Sequence, residues 1–83
     1  MKNKRLITKS WLTRYHFKYD KERNLYVNHF TYPDAYKTEY VKYDYDKRIL
    51  YAQACYVVGA DKPREMNEAD AYEWLKDVRY LFE

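Results

Sequence analysis

Between residues 25 and 58 lie three runs dense in tyrosine and β-branched residues, separated only by short polar stretches. Residues 25–32, 36–45 and 49–58 suit a pleated, half-buried surface, and each brief link between them reads as a turn. Pro33 and Asp34 interrupt the first pair, because proline cannot lie in a central ladder. Asp46, Lys47 and Arg48 turn the chain again. The run at 49–58 is apolar on both faces, which predicts a central strand.

Residues 11–19 add a fourth candidate. Trp11, Thr13, Tyr15, Phe17 and Tyr19 alternate with Leu12, Arg14, His16 and Lys18, and a period of two predicts a strand. Residues 20–24 form its turn. Residues 5–12 fit either a short helical turn or an extended entry into that strand. Residues 19–26 resemble 45–51 with one residue deleted, so two similar hairpins are expected. Neither turn carries the Asn-Gly pair of tight two-residue loops, which points to longer turns of type I.

The last segment changes period. Ala71, Leu75, Val78 and Phe82 recur at helical spacing, and Trp74 and Leu81 widen the stripe. Asn67 is placed to cap the N-terminus, with Glu68 and Asp70 in the first turn, where the helix dipole favours acids. The spacing predicts a helix over 67–83 with Glu73, Lys76, Asp77 and Tyr80 outward. Ala52 and Ala54 share one face of the fourth strand and leave room for Trp74, Val78 and Phe82 above them. The expected fold is α+β: a single domain over 1–83, a four-stranded antiparallel meander with one amphipathic C-terminal helix packed on one face. One helix covers one face of a sheet, leaving the other to tyrosines and long basic side chains.

A chain of 83 residues buries only a modest core. Three Phe, two Trp and twelve Tyr reconcile that core with 35% charged residues, since tyrosine buries a ring and keeps its hydroxyl wet. The aromatic content excludes a disordered chain. No segment approaches the roughly 20 apolar residues of a membrane span, and a single cysteine, Cys55, forms no internal disulfide. A soluble cytoplasmic protein is expected. The net charge of +3 is unevenly spread: residues 1–23 carry +6 and residues 65–83 carry −4. That gradient suits either a charged partner or pairing within the fold.

Catalytic signatures are missing. Ser10, the lone serine, has no diagnostic neighbours, and Cys55 sits in an apolar run as a small hydrophobe. The single glycine, Gly59, excludes glycine-rich phosphate loops. His16 and His29 fall on adjacent predicted strands and could begin a metal site with Asp34 or Glu39, but their spacing follows no motif. No cofactor is expected. The tyrosines remain, either as cover for a small core or as a binding face, because tyrosine and arginine are enriched at interface hot spots. The candidate contact residues are Arg14, Lys18, Tyr36, Tyr40, Tyr43, Tyr45 and Tyr80.

Two functions fit. One is a non-enzymatic protein-binding module, monomeric or dimeric, that occupies the surface of a larger protein complex. The other is a single-strand nucleic-acid platform on which aromatics stack bases while Arg14, Lys18, Lys42 and Lys47 follow the phosphates. The modest charge favours the first. In layout, with strands over 11–58, a helix over 67–83 and a very short chain, the sequence resembles the anti-CRISPR proteins, small phage-encoded inhibitors of bacterial defence. The resemblance implies steric occlusion of a protein or nucleoprotein complex and carries no residue across.

Overall fold

The computed structural model describes residues 5–34 and 36–82. Lys2 and Lys4 of the basic N-terminus, and the last residue of the predicted helix, lie outside the described residues. The order is α1 (Lys9–Arg14), β1 (Lys18–Asp20), β2 (Leu25–Tyr32), β3 (Lys37–Asp44), β4 (Ile49–Tyr56), β5 (Gly59–Ala60), β6 (Arg64–Asn67) and α2 (Glu68–Asp77), followed by a 3-10 turn over Arg79–Phe82. Neighbouring strands pair antiparallel in the order β1-β2-β3-β4, and both β5 and β6 line the outer edge of β4. The fold is α+β, as expected, but the meander has more strands than four.

The additional strands come from residues 59–67. Asp61 donates its N–H to the Ala54 carbonyl at 2.8 Å, so pairing runs on past Ala60. Lys62 and Pro63 then interrupt it before Arg64 opposes Ala52. Proline lacks the donor a ladder needs, so one edge strand appears as two pieces. β4 is thus interior, as its apolar run predicts. It ends at Tyr56, however, and Val57 and Val58 form an exposed turn, Val58 being 94% exposed.

The strand predicted over 11–19 is replaced by α1 and a three-residue β1. Thr8 caps the helix by accepting from the Trp11 N–H at 3.1 Å. Trp11 and Tyr15, four residues apart, stack with ring centroids 3.9 Å apart. Positions 11 and 15 satisfy a period of two and a helical turn alike, so alternation could not separate the cases. The fully buried Leu12 favours the helix, because a strand would have turned it to the opposite face from Trp11. The helix closes as a Schellman motif: His16 N–H donates to the Thr13 carbonyl at 3.0 Å and Phe17 N–H to the Leu12 carbonyl at 2.9 Å. His16 occupies the left-handed position at φ 67°, where glycine is usual.

The two hairpins are alike, in a different alignment from the one the sequence suggested. Asp20 opposes Leu25 and Asp44 opposes Ile49, each across four loop residues. Tyr19-Asp20 therefore corresponds to Tyr43-Asp44 with no deletion. In both loops the aspartate Oδ1 accepts the N–H three residues on, from Arg23 at 3.3 Å and Lys47 at 3.0 Å. In both the last loop residue is left-handed, Asn24 at φ 55° and Arg48 at φ 58°. Asn24 Nδ2 donates to Asp46 at 3.1 Å and ties one loop to the other.

Alternation sends Phe30, Glu39, Val41, Tyr43, Leu50, Ala52 and Ala54 to the covered face. Asn67 caps α2 as predicted, accepting from the Asp70 N–H at 2.8 Å, and Ala71, Leu75 and Val78 are buried against the sheet. The helix gives way to the 3-10 turn at Arg79, and Phe82 swings onto Phe30, Phe17 and Tyr15 instead of continuing over the alanines. Burial of this aliphatic and aromatic set supplies the main driving force, on the order of 2 kcal/mol per large side chain.

Two polar devices complete the face. Glu39 is 2% exposed and meets Arg64 at 2.8 Å, and Arg64 also lies over the Trp74 ring. Glu68 accepts the N–H groups of Leu6 and Ile7 at 2.8 and 3.0 Å and faces Arg48 at 3.6 Å. Arg5 donates to the Tyr45 carbonyl at 2.7 Å and covers the Tyr45 ring. Within the acidic C-terminal segment it is Glu68 that meets the N-terminal residues electrostatically, and it does so through backbone amides. Among the described residues, no ion pair joins α2 to a cation of residues 5–23.

Candidate functional site

All helical elements pack on one side of the sheet. Trp11 meets Tyr72, and Tyr15 and Phe17 meet Phe82. The other face stays open. Strand register sets its pattern: Lys18, Val27, Lys42, Tyr51 and Glu65 form one row, and His29, Tyr40 and Gln53 the next. Tyr40, 49% exposed, stands between two clefts. The larger, about 220 Å³, is lined by His16, Lys18, Val27, Asn28, His29 and Tyr40. The smaller, about 60 Å³, lies between Tyr40, Lys42, Tyr51, Gln53 and Pro63.

No carboxylate lines either cleft. Asp20 and Asp44 sit at the turn end of the sheet, where their oxygens hold turn N–H groups. Glu65 lies outward on β6. The two clefts thus offer Lys18, Lys42, two imidazoles and two phenol rings. His29 and Tyr40 lie side by side with centroids 5.7 Å apart. Asn28 steadies the larger cleft by donating to the Tyr15 carbonyl at 2.8 Å, and its Oδ1 accepts the His29 N–H at 2.7 Å.

The predicted contact residues divide. Lys18 and Tyr40 meet on the larger cleft. Arg14 is exposed in the last turn of α1 and does not line it. Tyr36, 87% exposed at φ 48°, lies in the β2–β3 turn, close in register to the exposed Val57–Val58 turn, since Lys37 opposes Tyr56. Tyr80 is exposed on the 3-10 turn.

Tyr43 and Tyr45 are core cover. Tyr43 is 0% exposed, and Tyr45 is half-buried beneath Arg5 and against the rings of Tyr26 and Tyr43. Positions 40 and 43 differ in parity, so one strand cannot present both on one face. Burial, and then the charge of Glu68, push the Tyr43 hydroxyl up to about 12. That hydroxyl has no hydrogen-bond partner among the described residues.

His16 and His29 share a cleft, but not as facing strand residues. Glu39 lies on the opposite face, bound to Arg64. No group of three or more His, Cys, Asp or Glu among the described residues could hold a metal ion. Cys55 is half-buried on the open face, opposite Thr38 and Ala60. Sequence reasoning missed Val27, Tyr51, Gln53 and Pro63 as cleft walls. Strand parity alone links Tyr40, Lys42, Tyr51 and Gln53 to one face, whereas His16 arrives through the helix-ending turn. No helix among the described residues is long and apolar enough to cross a membrane. Compared with protein-family models, with curated proteins and with solved structures, the chain matches none.

Proposed function

We propose that this chain is a small non-enzymatic binding protein that uses the open face of its sheet to cover a larger protein or nucleoprotein complex. One observation carries the reading. A whole sheet face lacks helical cover, and the half-exposed Tyr40 stands at its middle between two clefts. Aromatic side chains in such positions bring contact area at low entropy cost.

The test is capture from lysate of the source cell with the tagged chain, with and without nuclease, beside the double variant Tyr40→Ala/Lys42→Glu. A stoichiometric partner that survives nuclease and is lost by the variant supports the reading. A partner that the variant retains overturns it. Direct binding of a single strand is the second reading, favoured by the absence of carboxylates from both clefts, and predicts capture that disappears with nuclease.

A further inference from the structure

We infer that the larger cleft is a phosphate site for single-stranded nucleic acid, with His16, Lys18 and His29 on the phosphate and the Tyr40 ring beneath the attached base. The inference rests on the open face being the binding surface and names what that surface recognises: a strand that is either free or displayed by a nucleoprotein complex.

Three features converge. The first is donor chemistry. Two imidazoles, an ammonium and a phenol hydroxyl border one cleft of about 220 Å³, and no carboxylate competes for them. Each can donate a hydrogen bond to a phosphate oxygen. In a chain whose net charge is only +3, gathering donors in one carboxylate-free place matters more than the total.

The second is geometry. Tyr40 opposes His29 in register and their rings lie 5.7 Å apart at 34°. An exposed ring beside a cation cleft matches the pairing of stacking platform and phosphate contact in single-strand recognition. Lys42 and Tyr51, on the other side of Tyr40, repeat the pairing of cation and aromatic. A strand crossing Tyr40 would therefore meet one such pair in each cleft.

The third is backbone strain. His16 holds a left-handed conformation at the end of α1, where glycine would be easier. The local motif gains nothing from an imidazole there, whereas the cleft gains a wall. Asn24, Tyr36 and Arg48 hold the same conformation in turns, and His16 differs from them in lining the cleft.

The test is fluorescence anisotropy with fluorescein-labelled single-stranded RNA and DNA of about 12 nucleotides, within the footprint of sheet platforms. Unlabelled adenosine monophosphate and inorganic phosphate serve as competitors, and a phosphotyrosine peptide as an alternative ligand. We expect saturable binding and a log–log salt slope of about −0.7 to −2.1, from one to three phosphate contacts at about −0.7 each. Lys18→Glu and Tyr40→Ala should each weaken binding about tenfold, and Lys47→Glu, in the distant loop, less than about twofold.

His16→Gly is the sharpest variant. It should raise the unfolding midpoint, because glycine relieves the turn, and still weaken binding severalfold. A loss of fold cannot produce that combination. Absence of oligonucleotide binding, or equal affinity of the Lys18, His16 and wild-type proteins, would overturn the inference. So would preference for the phosphotyrosine peptide. If a nuclease-resistant partner depended on Tyr40 and Lys42 while no oligonucleotide bound, the phosphate assignment alone would fall. If oligonucleotide bound but only changes at Val57 and Val58 weakened it, the open-face reading would fall as well.

Discussion

The two faces of this sheet are made by alternate residues of the same strands, yet they have little in common. On β3, Glu39, Val41 and Tyr43 are buried beneath the helical layer, while Tyr40 and Lys42 stand in solvent. On β4, Leu50, Ala52 and Ala54 are buried, and Tyr51 and Gln53 border a cleft. A tyrosine three positions along a strand thus changes from exposed surface to core. In a tyrosine-rich chain, parity assigns the role and residue type does not. One face holds the buried core, and the other is left to solvent.

The largest effect should come from cutting the covered face. Leu50→Ala or Leu75→Ala removes a fully buried side chain and should cost about 2–5 kcal/mol in chemical denaturation. For a domain this small, that approaches global unfolding. The corresponding cut on the open face, Tyr40→Ala, should change stability by no more than about 0.5 kcal/mol. Equal costs for the two cuts would dissolve the distinction between the faces.

Next come the polar devices. Glu68→Ala removes acceptors for Leu6 and Ile7 and the partner of Arg48. A loss of about 1–3 kcal/mol is expected, together with faster amide exchange at residues 6 and 7. Arg64→Ala leaves the Glu39 carboxylate buried without its partner and should cost a similar amount, about 1–3 kcal/mol. A double change to Glu39→Leu/Arg64→Met should recover much of it, because a well-packed apolar pair avoids the desolvation penalty.

The smallest effect has the most informative sign. Tyr43→Phe deletes a buried hydroxyl that has no partner among the described residues, so stability should stay the same or rise by up to about 1 kcal/mol. Its pH dependence follows. The folded hydroxyl ionises near 12, whereas the unfolded one does so at its ordinary value of 10. Between those values the unfolded state gives up a proton that the folded state keeps. Stability therefore falls as pH rises from 10 to 12, on the order of 1 kcal/mol per pH unit from this group. Below pH 10 it contributes nothing. Unfolding curves of wild type and Tyr43→Phe should diverge across that window, and parallel curves would place the hydroxyl in water.

Much of this architecture is legible in the residues. The bounds of the second strand, the Asn67 cap and the buried stripe of Ala71, Leu75 and Val78 follow from period and capping chemistry alone. The failures have identifiable causes. Aromatics at 11 and 15 satisfy two periods at once, and only the Thr8 cap and the depth of Leu12 decide between them. Val57 and Val58 read as strand because they are apolar, yet they form a turn because Tyr56 pairs with Gly59. No strand is predicted between residue 58 and the helix at 67, but β4 has an outer edge whose backbone groups need partners. The open face could have been drawn from parity; the larger cleft could not, because His16 enters it through a left-handed turn.

The proposed division of the sheet, one face for the fold and the other for the partner, is open to a single experiment. Its most direct test is chemical-shift mapping of the protein by NMR during titration with the single-stranded RNA. Shifts are expected at His16, Lys18, His29, Tyr40 and Lys42, with Val41, Tyr43, Leu50 and Leu75 unmoved. Shifts centred on the Val57–Val58 turn or on α2, with His29 and Tyr40 unmoved, would contradict it.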